Sequence, residues 1–282
     1  MSAVYSVVIP CRDGAATLGR QLRALAAQDF TGDFEVVVAD NGSRDESRAV
    51  VAAAARTDPR VRGVDASGRA GINHARNVGV AHARGKFVLL CDADDAVTPG
   101  WISAMDRARR AGADCVGGAV ERRLPDETVL GTDPATSTYL WHVPRPIGAN
   151  CGFAREVHDA VGGFDESLLG GGDESDFFYR AHLAGYRTRA VPDAVVVYYE
   201  RERLRDLARQ QFRYGRQSVR IYLRFRDAGL PRRPLWRVPV TVAGGLVRAL
   251  SPDRLVRRRG VKRLALTAGR VAGSVRDRTL FV

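Results

Sequence analysis

Carboxylates follow directly on an apolar segment about one third of the way along the chain. The segment runs from Val88 to Cys91, and Asp92, Asp94 and Asp95 come next. Such a run is typical of a buried strand, and open α/β sheets bind ligands at the carboxyl edge of their strands. Asp92 and Asp94 can share a hard divalent cation, Mg2+ or Mn2+, which completes its shell with water and substrate phosphates. An acidic turn without a metal is the alternative.

A second group of acids, Asp173, Glu174 and Asp176, follows three glycines at positions 170–172. The glycines permit a tight and mobile approach to the helix predicted after them. Three acids within four residues make this a second candidate functional group. The structural alternative is that these acids only stabilise the N-terminus of the helix.

An alternation of strands and helices positions these acids. Apolar strand-like runs alternate with segments of helical periodicity, and this rhythm predicts a parallel sheet whose strand ends face one crevice. Beyond residue 100 we expect a helix over 101–110, a strand over 114–122 and strands over 186–199. Between them, residues 125–146 read as a long loop that could lie over the crevice. The predicted strand and helix pairs are 4–10 with 14–28, 34–40 with 43–55, and 61–64 with 70–83, followed by strand 86–90.

Charge is distributed unevenly along the 282 residues. The whole chain carries a net charge of +12, whereas residues 201–282 hold 22 Lys and Arg against 5 Asp and Glu, or +17, which leaves −5 for residues 1–200. The basic character therefore belongs to a tail with helical periodicity. The four cysteines form no C-x-x-C pair. No export leader or membrane-spanning run is present, so we expect a cytoplasmic protein.

Six short motifs, in this order, resemble those of the inverting family 2 glycosyltransferases. The resemblance implies a GT-A fold, an α/β domain with a Rossmann-like, mostly parallel sheet, here with a basic helical C-terminal extension. We expect a nucleotide-sugar-binding half at 1–105, an acceptor-binding half at 106–200 and the tail at 201–282. The motifs are Val7-Val8-Ile9-Pro10, Val38-Ala39-Asp40-Asn41-Gly42-Ser43, Ala75-Arg76-Asn77-Val78-Gly79, Leu90-Cys91-Asp92-Ala93-Asp94-Asp95, Gly162-Gly163-Phe164-Asp165-Glu166 and Gly172-Asp173-Glu174-Ser175-Asp176-Phe177.

For the donor, the resemblance implies that Asp40 meets the nucleotide base. A carboxylate only accepts hydrogen bonds, so it suits uracil, thymine or guanine and not cytosine, and we favour a uridine diphosphate donor. Asp94 is implied as the principal metal ligand, with Asp92 near the ion or the ribose; Asp95 is interpreted as a cap of the next helix. The expected nucleotide-binding residues are Pro10, Arg12, Asp40, Ser43, Arg76 and Asp92.

For the acceptor, the resemblance implies a catalytic base in the second acidic group. By position Glu174 is favoured as the base. The first two acids of this group are swapped relative to the order in the family, so Asp173 remains an alternative base. Asp176 is expected to orient acceptor hydroxyls or Arg180, and Trp141 to stack on a sugar or to anchor its loop. Gln210 to Tyr214 resembles the Gln-x-x-Arg-Trp element of processive members. The expected acceptor-binding residues are Trp141, Asn150, Asp176 and Arg213.

These expectations combine into a metal-dependent inverting glycosyltransferase acting on a hydroxyl of a cell-envelope glycan or a lipid-linked acceptor. Residues 229–282, with arginines beside apolar faces, are expected to contact an anionic membrane surface, so that the protein is peripheral on the inner face. A polyprenyl-phosphate sugar synthase is the near alternative. A basic nucleic-acid-binding protein is the distant one, and we expect no nucleic-acid partner because no recognition module is visible.

Overall fold

The structure, a computed structural model, describes residues 4–281. Its strands are β1 Tyr5–Cys11, β2 Phe34–Asp40, β3 Val61–Asp65, β4 Phe87–Cys91, β5 Ala96–Val97, β6 Cys115–Arg123, β7 Val129–Asp133, β8 Asn150–Ala154 and β9 Thr188–Tyr199. Its α-helices are α1 Leu18–Ala26, α2 Ser47–Thr57, α3 Ile72–His82, α4 Trp101–Arg110, α5 Arg155–Val161, α6 Asp173–Leu183, α7 Leu204–Phe225, α8 Arg237–Ala249 and α9 Arg254–Arg276.

One sheet runs through the domain in the order β3-β2-β1-β4-β8-β6-β9-β5, with β7 on β6. The first four strands are parallel, as the alternation of strands and helices predicted. The expectation of a mostly parallel sheet is corrected beyond β4. There β8 is antiparallel to both β4 and β6, and β5 is antiparallel to β9, so the sheet is mixed. The α/β class itself is confirmed.

Helices cover both faces of the parallel half, which explains why every residue of β1 and β2 is buried. Val7 and Ile9 face one layer, which includes Leu18 of α1, whereas Val8 faces the other layer with Val80 of α3. Burial of both faces of the sheet fixes the positions of the strand ends relative to one another. The residues that follow β1, β2 and β4 therefore meet at one edge of the sheet.

The predicted loop at 125–146 contains more structure than expected. Strand β7 pairs with the far end of β6, and Ser137 forms an antiparallel bridge with Arg145. The loop ends close to α6, since Arg145 reaches Glu174. It therefore contributes a wall beside the second acidic group.

The basic tail folds into helices that pack on one another and on the sheet domain. Helices α7 and α9 cross at Gly215 and Gly269, where a Cβ atom on either glycine would collide with a carbonyl oxygen of the other helix. Glu200, buried at the end of β9, binds Arg258 at 2.9 Å and also Lys262, both on α9. Within residues 4–281 no helix is both long and apolar enough to cross a membrane.

Helix α8 turns an apolar face toward solvent. Its opposite face packs on α9, where Gly245, the buried residue of this helix, lies against Leu264. The exposed side chains recur every three or four residues, and no Asp or Glu lies between positions 228 and 252, whereas Arg237 and Arg248 do. The exposed fractions are 69% for Trp236, 65% for Val240, 74% for Val247 and 83% for Leu250.

Candidate active site

The three carboxylates after β4 form one cluster. Oxygen atoms of Asp92, Asp94 and Asp95 all lie within 4.8 Å of one another. Burial, together with the charges of Asp94 and Asp173, raises the pKa of Asp92 to about 6, even though Arg76 and Arg201 oppose the shift. Carboxylates held this close repel one another unless a cation compensates their charge.

Two oxygens of this cluster fit a divalent cation. Oδ1 of Asp92 and Oδ2 of Asp95 are shielded from solvent and accept no hydrogen bond within the described residues. Hard oxygen ligands with free lone pairs are the donor set that Mg2+ and Mn2+ prefer. The interpretation of Asp95 as a helix cap is wrong, because its Oδ1 accepts from the amide of Tyr199 at 3.3 Å and α4 begins after Gly100.

Helix α1 holds the acidic loop in place. Arg20 donates to the backbone carbonyl of Asp94 at 2.6 Å and lies over the ring of Tyr199, 3.7 Å from its centroid. Gln21 donates to the carbonyl of Asp92 at 3.2 Å and accepts from the amide of Val97 at 3.0 Å. The sequence does not single out these two side chains, because nothing in their spacing links them to residues more than 70 positions away.

Asp173 and Glu174 open α6 on the other side of the crevice. Three glycines with positive φ precede them, and Gly172, at φ 83, is the N-cap, a conformation that L-residues with a side chain rarely adopt. Glu174 is half-buried and accepts from Arg145 at 2.9 Å. Burial, followed by the charge of Asp173, raises the pKa of Glu174, and Arg145 opposes that shift.

Arg76, on α3, joins the two acidic groups. Its buried guanidinium bonds to the buried carboxylate of Asp173, and its Nη2 lies 3.7 Å from Oδ1 of Asp92. Arg76 is therefore a buried residue rather than an exposed residue of α3. Its charge is shared between two carboxylates.

The expected base contact, Asp40, ends β2 at the same edge. Its carboxylate accepts from the amide of Ser43 at 3.1 Å and from the guanidinium of Arg48. Burial raises the pKa of Asp40, but these hydrogen bonds outweigh it and the net pKa is lowered. Asp40 is thus ionised and acts only as an acceptor. Arg48, not predicted from the sequence, is mostly exposed in this pair.

The remaining expected nucleotide residues surround this position. Pro10 is buried in β1 beside Ala39, so it shapes the floor of the crevice. The Ser43 hydroxyl accepts from the amide of Asp13 at 3.0 Å, which ties the loop after β1 to the loop after β2. Arg12 is exposed, and its guanidinium lies 3.8 Å from the carboxylate of Asp13.

Comparison with known proteins decides the family. The family model of Glycosyl transferase family 2 matches residues 6–164, more than half of the chain. The chain belongs to this family. The predicted family and the predicted GT-A type fold are both confirmed, and the protein is a glycosyltransferase.

Three proteins illustrate the similarity. The succinoglycan biosynthesis protein ExoA of Rhizobium meliloti is 28% identical over 86% of this chain and 78% of its own length. The undecaprenyl-phosphate 4-deoxy-4-formamido-L-arabinose transferase of Shewanella sediminis is 36% identical over 44% of this chain and 38% of its own. The mannosyltransferase PcManGT of Pyrobaculum calidifontis, solved with GDP-Man and Mn2+, has a TM-score of 0.69 at 22% identity and covers 97% of this chain and 87% of that one.

Two residues that this glycosyltransferase was expected to use for its acceptor are core residues. Trp141 is enclosed, with its ring centroid 5.1 Å from that of Tyr179, so neither face is free to stack on a sugar and the loop-anchor alternative is correct. Asn150 is fully buried and donates to Ala119 at 2.7 Å and to Ala194 at 2.8 Å. Its Oδ1 accepts from the indole of Trp101, so its side chain has no group left for a ligand.

The other two expected acceptor residues, Asp176 and Arg213, differ in their exposure to solvent. Asp176 is buried and binds Arg180 at 2.6 Å and Arg224 at 2.8 Å, which agrees with the alternative that it orients Arg180. Arg213 is exposed, and its side chain lies beside Gly170 of the glycine run. Only Arg213 of the four therefore remains available to an acceptor.

One residue of the site that the sequence does not reveal is Arg201, whose Nη2 lies 3.8 Å from Oδ2 of Asp94. It follows β9 by two residues, and the register of β9 against β5 brings it there. An arginine in a tail rich in arginine offers no signal of this kind.

Proposed function

We propose that this glycosyltransferase transfers a sugar, with inversion, from a nucleoside diphosphate donor to a hydroxyl group of a cell-envelope glycan or lipid-linked acceptor. One observation carries the proposal. The carboxylates after β4 and those at the start of α6 flank Arg76, whose guanidinium contacts Asp92 of the first group and Asp173 of the second. This arrangement supports a leaving-group site at the first group and a proton acceptor at the second, as displacement at an anomeric carbon requires.

Asp94 and Asp92 would hold Mg2+ or Mn2+, with Asp95 as a further oxygen ligand. The bound ion would neutralise charge on the departing diphosphate. The buried oxygens of Asp92 and Asp95 that accept no hydrogen bond within the described residues support this assignment. The presence of Mn2+ with GDP-Man in the similar mannosyltransferase structure supports it as well.

Glu174 is the better candidate for the base. Asp173 is committed to a buried ion pair with Arg76, whereas Glu174 is half-buried beside the crevice and has a raised pKa. A raised pKa strengthens a carboxylate as a proton acceptor. In the proposed step the Glu174 carboxylate takes the proton of the acceptor hydroxyl, whose oxygen attacks the anomeric carbon as its bond to the diphosphate breaks.

Asp40 would recognise the base of the donor, with Pro10, Arg12, Ser43, Arg76 and Asp92 around the nucleoside and diphosphate. An ionised carboxylate accepts from N3–H of uracil, and uridine is favoured over guanosine and thymidine. Titration calorimetry with Mn2+ and UDP, GDP, dTDP or CDP tests the whole assignment. We expect UDP to bind and CDP not to bind. Failure of every nucleoside diphosphate to bind would refute the proposed function.

A polyprenyl-phosphate acceptor is the second candidate, favoured by the similarity to an undecaprenyl-phosphate transferase. A phosphate oxygen needs little help from a base, whereas a hydroxyl does. Glu174→Gln therefore separates the two acceptors. With a hydroxyl acceptor we expect turnover to fall by about 100-fold or more, and with a phosphate acceptor we expect it to stay nearly unchanged.

The tail completes the proposal. The apolar face of α8, with Arg237 and Arg248 beside it and no acid between positions 228 and 252, is complementary to an anionic bilayer. A cytoplasmic protein bound peripherally to the inner membrane face would meet lipid-linked acceptors there. The division into a donor half at 1–105, an acceptor half at 106–200 and a membrane-binding tail at 201–282 remains part of this proposal.

A further inference from the structure

A cavity of about 750 Å³ lies between the start of α7 and α9. It is distinct from the crevice where Asp40 ends β2. The side chains that line it include three arginines and one carboxylate, and an aromatic ring and a small residue of α9 complete the wall. These residues are Arg201, Arg209, Arg213, Asp206, Phe212 and Ala265.

The charges of this cavity do not cancel. Arg209 and Asp206 lie 3.7 Å apart, and Arg201 is 3.8 Å from Asp94 outside the cavity. Arg213 makes no ion pair with a carboxylate among residues 4–281. Arg209 and Arg213 are one helical turn apart on the same face of α7, so both guanidinium groups can approach one ligand. Three guanidinium groups against two carboxylates, of which only Asp206 lines the cavity, leave a net positive charge that favours an anionic ligand.

Guanidinium groups match phosphate oxygens because their donors form a rigid fork. The cavity also has an apolar side, formed by Phe212 and Ala265. A ligand that combines a phosphate group with an apolar chain would contact both the arginines and the apolar side. A free inorganic phosphate would use only the arginines.

The position of the cavity separates its ligand from the nucleoside of the donor. In the sheet, β9, which leads to Arg201, is separated from β2 by β1, β4, β8 and β6. The cavity borders the proposed reaction centre at two points, where Arg201 lies beside Asp94 and where Arg213 lies beside Gly170, next to the second acidic group. In the other direction it borders α9, whose Leu264 packs on α8.

We infer that Arg201, Arg209 and Arg213 bind the phosphate or diphosphate group that joins an acceptor saccharide to its lipid. This inference rests on the proposed function, whose acceptor it specifies. The saccharide would extend past Gly170 toward Glu174, and the lipid would leave along α9 toward the apolar face of α8. The arginines thus set the distance between the reacting hydroxyl and the membrane.

The test uses the full chain with its donor site saturated by UDP and Mn2+, and farnesyl diphosphate as the probe. The test variant is Arg209→Gln with Arg213→Gln. The control is Arg205→Gln with Arg220→Gln, which removes the same charge from exposed positions of α7 outside the cavity. We expect the test variant to bind farnesyl diphosphate roughly 10- to 100-fold more weakly, and the control to bind like the wild type.

Further binding measurements identify the chemical class of the ligand. Pyrophosphate and farnesol should each bind more weakly than farnesyl diphosphate, and binding to phosphatidylglycerol vesicles should be equal in the test and control variants. Equal binding of farnesyl diphosphate by the test variant and the wild type would overturn the inference. A selective loss of vesicle binding, or a matching loss of UDP affinity, would overturn it too, by assigning the arginines to bulk lipid or to the donor. Failure of the proposed function is recognised separately, because the wild type would then bind no nucleoside diphosphate.

Discussion

The buried guanidinium of Arg76, on α3, is bonded to the buried carboxylate of Asp173, the first residue of α6. The same guanidinium lies 3.7 Å from Asp92, a proposed metal ligand. One cation therefore compensates acids from both acidic groups. Because Arg76 is bonded to Asp173, the carboxylate of the neighbouring Glu174 is not bonded to Arg76.

Arg76→Met should destabilise the fold, because it leaves Asp173 buried without its partner. We expect a loss of about 3 kcal/mol in the free energy of unfolding, measured by urea denaturation. Arg110→Met, which removes an exposed partner of Asp106, is the matched control and should cost less than about 1 kcal/mol. Adding Asp173→Asn to Arg76→Met should restore part of the loss. Equal effects of the two single substitutions would argue against a buried ion pair at Arg76.

Arg145→Gln should move the acidic limb of the pH profile. Burial and Asp173 raise the pKa of Glu174, and Arg145 lowers it. A base works only when deprotonated, so activity falls as the pH drops through its pKa. Removing Arg145 raises that pKa further, and the acidic limb of kcat/KM should shift to higher pH with the plateau largely retained. Arg107→Gln, remote and exposed, should leave the limb in place. An unshifted limb in Arg145→Gln would assign the base to another group.

Asp94→Ala should abolish the metal-dependent part of nucleotide binding. We expect the affinity for UDP to become the same with and without Mn2+ in titration calorimetry, because the variant lacks the principal oxygen ligand. Asp193→Ala removes an exposed carboxylate elsewhere on the protein and should preserve the effect of Mn2+. Wild-type Mn2+ dependence in Asp94→Ala would contradict the assignment.

Glu200→Gln should weaken the attachment of α9. Burial raises the pKa of Glu200, but Lys262 and Arg258 outweigh it and the net pKa is lowered. The ionised Glu200 therefore stabilises the fold at a pH above about 4.3, the pKa of glutamate in the unfolded chain. This stabilisation is lost as the pH falls below that value toward the lower pKa of the folded protein. We expect a deficit of about 3 kcal/mol at pH 7 that shrinks toward pH 3. Glu127→Gln, at a largely exposed position, should show little deficit at either pH. A deficit independent of pH would exclude the charge of Glu200 as its origin.

Val240→Glu with Val247→Glu should reduce binding to vesicles that contain phosphatidylglycerol. Both residues lie on the exposed apolar face of α8, and we expect the partition coefficient in co-sedimentation to fall at least about tenfold. Leu183→Glu with Val129→Glu changes the charge equally at exposed apolar positions that do not belong to the tail. If the two double variants bind alike, α8 is not the membrane contact.

Several parts of the site follow from local patterns in the amino-acid sequence. Asp92 and Asp94 come after a strand-length apolar run, and a strand buried on both faces delivers the next residues to the carboxyl edge of the sheet. Asp40 reaches the same edge of the sheet as the last residue of β2. Glu174 follows a glycine run and opens a helix. The parallel half of the sheet could be predicted from the same patterns.

Other roles depended on neighbours that are distant along the chain. Asn150 and Trp141 have residue types that suit a sugar-binding site, but Asn150 meets Trp101 and Ala194, and Trp141 meets Tyr179, so both are buried. The strand directions in the mixed half of the sheet could not be predicted for the same reason. Beyond β4 the direction of a strand depends on which strands pack together.

The sequence by itself determined the family, the order of strands and helices in the donor half and the two acidic groups, since these follow from residue type and spacing. Only the tertiary structure decided which charges meet. Arg76 and Asp173 are 97 positions apart, and Arg201 reaches Asp94 through the pairing of β9 with β5. Ion pairs of this kind depend on distances of a few ångströms between segments remote in the chain, and local periodicity carries no information about those distances.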